Sequence, residues 1–103
     1  APQDVAPATP PGPSPEELAK LEDEADKLNV RAAAASQSVD TLRKQQVAAG
    51  FNLRADIASS QERMHMYLAK GDAALKAQDT ANAQKYFDLA DKELDKLEKF
   101  LGH

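Results

Sequence analysis

The sequence predicts an all-α fold, a long N-terminal helix of coiled-coil character followed by an antiparallel helical hairpin, with a three-helix bundle as the alternative arrangement. Three observations carry this expectation. Leu18, Leu21, Ala25, Leu28, Ala32, Ala35, Val39, Leu42, Gln46, Ala49 and Leu53 recur at alternating steps of three and four, which draws one seam along a helical stripe for about five heptads. Two later stretches carry helical stripes of their own. Helix-forming alanine, leucine, lysine, glutamate and glutamine dominate, aromatics are 5% of the chain, and no proline follows Pro15.

Residues 1–13 (APQDVAPATPPGP) have no apolar period and read as a proline-rich tail or linker, because proline fixes φ and withholds donors. Pro7-x-x-Pro10 and Pro10-x-x-Pro13 have the spacing that proline-recognition domains read, but no basic residue flanks them, so the segment reads as a tether. The helical domain is residues 14–103. Ser14-Pro15-Glu16-Glu17 starts its first helix: serine at the N-cap, proline at the first helical position and glutamate at the third form a capping box at the positive end of the dipole. This helix spans 15–49, about 52 Å at the rise of an α-helix.

Gly50-Phe51-Asn52 offers two paths. Glycine can close a helix in the left-handed conformation and asparagine can cap the next one. The seam, however, crosses Gly50 in register from Gln46 and Ala49 to Leu53, and no proline follows, which favours a continuous or merely kinked helix. The second helix covers 52–77, with Ile57, Met64, Leu68 and Leu75 on its stripe and Tyr67 beside it. Asp79 or Thr80 caps the third helix, 80–101, in which Ala83, Phe87, Ala90, Leu94, Leu97 and Leu101 alternate by four and three before Gly102 ends it.

Tyr67, Gly71, Ala83, Phe87, Ala90 and Leu94 are the expected packing residues of the hairpin. Within Tyr67 to Ala90 (YLAKGDAALKAQDTANAQKYFDLA), Tyr67 and Gly71 followed by Ala83, Phe87 and Ala90 resemble a single tetratricopeptide-type helical hairpin. The resemblance implies close helix approach at the small residues, with the phenylalanine filling the space between, and a protein-binding role. It assigns no binding residues, since peptide recognition in that family uses the groove of several stacked repeats.

Composition excludes several classes. A net charge of −4, with lysine and arginine interleaved among acids, does not suit a nucleic-acid binder. Asp or Glu precedes Lys by four residues at Glu16/Lys20, Asp23/Lys27, Asp40/Lys44, Asp72/Lys76, Asp88/Lys92 and Asp95/Lys99, the orientation that supports an exposed helix. The absence of cysteine removes disulfides, thiolate nucleophiles and cysteine-held metals. No apolar run reaches the roughly 18 residues of a membrane span. The Ala-Pro start and the Pro/Ala/Thr segment behind it match a mature chain after leader removal, so a periplasmic or secreted location is expected.

Reactive constellations are sparse. His65 and His103 are the only histidines, and Glu62-Arg63-Met64-His65 matches a helical Glu-x-x-His motif once, whereas such metal sites use two. Ser36, Ser38, Ser59 and Ser60 show no histidine and carboxylate partners in sequence, and no phosphate-cradling glycine loop occurs. Met64, Met66 and Tyr67 form a soft apolar cluster better suited to a core than to a partner surface. The sequence therefore points away from an enzyme and from any cofactor. It points to a helical oligomerisation or protein–protein interaction module, with Leu18, Leu21, Leu28, Val39, Leu42 and Leu53 as the interaction seam and a partner helix or a second copy as its mate, hence a homo-oligomer. A small metal- or ligand-binding dimer built on Glu62 and His65, and a spacer or capping domain of a larger protein, are the alternatives.

Overall fold

The structure, a computed structural model, describes residues 12–102, which form three helices: α1 (Pro15–Ala48), α2 (Ala55–Lys76) and α3 (Thr80–Leu101). Residues 1–11 of the expected tail, and His103, lie outside the described residues. None of the described helices is long and apolar enough to cross a membrane.

Each helix end has a local cause. The Ser14 hydroxyl accepts the Glu17 N–H at 3.0 Å, Pro15 occupies the first turn, and Glu16 and Glu17 sit at the positive end of α1. At the other end, Gly50 adopts φ +85°, its N–H donates to the Val47 carbonyl at 3.0 Å, and the Phe51 N–H donates to the Gln46 carbonyl at 2.7 Å. This paired closure is a Schellman motif, and it stops the helix. The expected continuation through Gly50 is therefore corrected. A straight rod would have carried Ile57 and Met64 away from the rest of the chain; turning at Gly50 lets α2 bury both against α1 and α3. The second helix also starts later than expected, at Ala55, with Arg54 rather than Asn52 at its N-cap.

The turn between α2 and α3 repeats the closure with a less suitable residue. Gln78 holds φ +59°, its N–H donates to the Leu75 carbonyl at 2.9 Å, and the Asp79 N–H donates to the Ala74 carbonyl at 2.8 Å. The Asp79 carboxylate then accepts the Asn82 N–H at 3.2 Å and starts α3, which Gly102 ends in the left-handed conformation.

The tightest pairing is the antiparallel hairpin of α2 and α3; α1 lies across both, parallel to α3 and antiparallel to α2, and packs more closely on α3. Leu21, Ala25, Leu28, Ala32, Ala35 and Val39 of α1 meet Ile57, Met64 and Leu68 of α2 and Ala83, Phe87, Ala90, Leu94 and Leu97 of α3 in one core. Of the expected bundle alternatives, the three-helix arrangement is the one observed. At its centre the Phe87 ring stands over Gly71, where a side-chain carbon would lie 2.5 Å from Phe87 Cε1. Only a residue without Cβ lets the two helices come this close.

Candidate functional site

The seam of α1 is consumed within the chain. Leu21, Leu28 and Val39 are buried in the core, Leu18, Leu42 and Leu53 are half-buried, and Gln46, the polar member, is half-buried with its Oε1 enclosed. Ala49, the next position, is exposed. Gly71, Ala83, Phe87, Ala90 and Leu94 are buried between the hairpin helices, with Tyr67 half-buried at its edge. Tyr67 stacks on Tyr86 with ring centroids 6.4 Å apart, and Lys70 and Lys85 lie over the Tyr86 ring at 5.6 and 5.5 Å. The soft cluster is divided: Met64 is fully buried, whereas Met66 is exposed.

Polar contacts between helices fix how α1 sits on the hairpin. Arg31, beside the buried Leu28 and Ala32, reaches three carboxylates of α3. Its Nε and Nη2 donate to Glu98 at 3.2 and 2.8 Å, Nη1 to Asp91 at 2.6 Å and Nη2 to Asp95 at 3.1 Å. The Glu98 hydrogen bond, then burial working in the opposite sense, then Asp91, leave this guanidinium more basic than a free arginine. Asp91, Asp95 and Glu98 stand at steps of four and three, so one face of α3 offers them together.

A second network joins α2 to α3. Ser60, fully buried, donates to Glu93 Oε1 at 2.7 Å; Arg63 donates to both carboxylate oxygens at 3.2 and 3.3 Å, and Lys96 Nζ lies 3.5 Å away. Burial, the largest influence, pushes the Glu93 carboxyl up, but the hydrogen bonds from Arg63 and Ser60 and the charges of Arg63 and Lys96 outweigh it and hold it below the usual glutamate range. None of the six i,i+4 acid–lysine pairs closes to an ion pair among the described residues, and Asp95 turns to Arg31 instead of Lys99. Arg31 and Arg63 have no acid three or four residues away on their own helices, so their partners are the carboxylates of α3.

The structure brings together one pair that sequence spacing did not indicate: Ser36 Oγ and His65 Nε2 are 3.1 Å apart across α1 and α2. No carboxylate is hydrogen-bonded to this ring among the described residues. Both groups sit in mid-helix, where the backbone N–H groups are engaged in the helical ladder and cannot stabilise an oxyanion. Glu62 is exposed, and no three His, Cys, Asp or Glu side chains gather as a metal site requires among the described residues.

Besides the exposed Val30 of α1 and Met66 of α2, two surface features remain without a role in holding the fold. The first is the end of the bundle where α1 turns into α2: Val47 is 60% and Phe51 69% exposed. The second is a trough between α1 and α2. One recess of about 560 Å³ is lined by Leu18, Ala25, Leu75, Glu22, Asp26 and Asp72 among others, and a second of about 370 Å³ by Ala32, Ala33, His65, Leu68 and Ala69; Asn29 and Asp72 line both, so the two adjoin. No family model, curated protein or solved structure matches the chain.

Proposed function

We propose that this chain is a non-catalytic helical interaction module that associates through the α1–α2 end of its bundle, with a second copy as the first partner. The observation that carries the reading is the exposure of Val47 and Phe51 on a chain whose own seam is already covered. A phenylalanine left largely in water at a turn is a contact residue in waiting, because covering it gains roughly 25 cal/mol per Å² of apolar surface. Charges around this end are nearly balanced, with Arg43, Lys44 and Arg54 against Asp40 and Asp56, so a like surface is not repelled, and a two-fold pairing would bury each patch against its copy.

Sedimentation velocity over a concentration series tests it. A concentration-dependent dimer is expected for the natural sequence and a loss of that species for the Val47→Gln/Phe51→Gln variant, whose changed side chains are exposed and leave the core intact. A single monomer at every concentration would overturn the self-association reading. It would favour the second reading, a spacer or capping domain, which draws its support from the burial of the α1 seam inside one chain.

A further inference from the structure

The trough between α1 and α2 exists because of what lines it. Where α1 faces α3, Leu28, Phe87 and Leu94 pack into the core, with recesses of about 240 and 380 Å³ beside them; where it faces α2, the small Ala25, Ala32, Ala33 and Ala69 line the larger pair of recesses. Ala25, Ala32 and Leu68 form a buried apolar floor, with the half-buried Leu18 and Leu75 at one end. From Leu18 to Ala33 the trough follows α1 for about 22 Å, the length of a helix of about 15 residues.

Its rim is predominantly acidic, with three carboxylates against one lysine. Glu22 and Asp26 project from α1 and Asp72 from α2, and none has an ion-pair partner among the described residues. Lys76 is the one lysine or arginine lining either recess among the described residues. Glu17, Glu24, Lys20 and Lys27 lie on the α3 side of α1, where Glu24 accepts from Gln84 at 2.8 Å. Apolar Ala25, Ala32 and Leu68 at the base, with Glu22, Asp26 and Asp72 gathered along one half, are complementary to a helix whose apolar stripe is flanked by lysine or arginine.

We propose that this trough receives a basic amphipathic helix of about 15 residues from a partner protein, completing a four-helix bundle. The proposal rests on reading the chain as an interaction module and adds the partner's chemistry. A second copy is disfavoured here because it would bring the acidic half of α1 against itself. The chain's own residues 1–11 are proline-rich and carry Asp4 but no basic side chain, so they match neither the helix nor the charge.

The test uses the full chain and two labelled synthetic helices with leucine at a and d positions, one with lysine and one with glutamate at e and g, titrated by fluorescence anisotropy. The lysine peptide is expected to bind at least about tenfold more tightly than the glutamate peptide and to weaken in high salt. Ala33→Leu/Ala69→Leu fills the trough from two exposed positions and is expected to lower the affinity by at least about tenfold with no loss of helicity or melting temperature. Glu22→Lys/Asp26→Lys is expected to reverse the preference. Absence of lysine-peptide binding, equal binding of both peptides, or unchanged affinity in the filled variant would each overturn the proposal. Dimerisation that depends on Val47 and Phe51 would survive that failure, since it uses the other end of the molecule.

Discussion

Gly71→Ala is a substitution whose sign is opposite to the one helix propensity gives. In an exposed helix interior, alanine stabilises over glycine by about 0.5–1 kcal/mol. Here the added Cβ would lie 2.5 Å from Phe87 Cε1, 2.6 Å from Cδ1 and 3.2 Å from Cζ. Carbon atoms settle at about 3.5–4.0 Å, so the ring and methyl group must separate by about 1 Å. Phe87 is fully buried and cannot swing into solvent, which makes the change an overpacking of the core costing about 1–3 kcal/mol. A contact this short puts the cost at the upper end, about 2–3 kcal/mol, so subtracting the propensity gain leaves a net destabilisation of about 1–2.5 kcal/mol, or a melting temperature lower by about 4–20 °C for a domain of this size. Thermal unfolding followed by far-UV circular dichroism measures it. Phe87→Leu supplies the partner variant: if the clash is the cause, the two substitutions together cost less than the sum of each alone. A Gly71→Ala protein that melts at or above the parent temperature, or strict additivity of the pair, would refute the close approach of α2 and α3 at this point.

Two further outcomes follow from the turn and the buried network. Gln78 holds a left-handed backbone at the position where a Schellman motif favours glycine, so Gln78→Gly is expected to stabilise by about 0.5–1 kcal/mol in urea unfolding, against the usual sign for a glycine substitution. Glu93 is held below its ordinary value near 4.5, so its contribution is present above that pH and is lost as the pH falls through the lower folded value, because the unfolded chain takes up the proton first. Glu93→Gln is therefore expected to lower stability at neutral pH and to flatten the decline below about pH 4.5, read from urea midpoints across the acid range; an unchanged acid profile would remove the network from the stability of the fold.

The helices themselves were legible because their signals are local. Ser14-Pro15-Glu16-Glu17 names a helix start by hydrogen-bond chemistry alone, Asp79 does the same for α3, and the spacing of Ala83, Phe87, Ala90, Leu94 and Leu97 names the buried face of that helix. The seam of α1 announced that a helical surface would cover it. Whether that surface belonged to the same chain was not written in the spacing, since a heptad pattern is satisfied equally by a neighbour in sequence and by another molecule. Tertiary packing decided it by turning the chain at Gly50, where the free energy of burying Ile57 and Met64 outweighed the continuity of the seam.

The electrostatics divide in the same way. From sequence, six acids stand four residues before a lysine, yet the pairs that form depend on which helix lies alongside: Arg31 joins Asp91, Asp95 and Glu98, and Arg63 joins Glu93, across separations in sequence that no local pattern encodes. The exposed Val47 and Phe51 and the acidic trough are likewise products of the packing, because an apolar residue becomes a surface feature only when the core is assembled without it. Periodicity and capping determined how many helices this chain makes and which stripe of each is hidden, for these depend on neighbours within a turn or two. Their arrangement, and with it the surface left for other molecules, belongs to contacts that only the folded chain brings within reach.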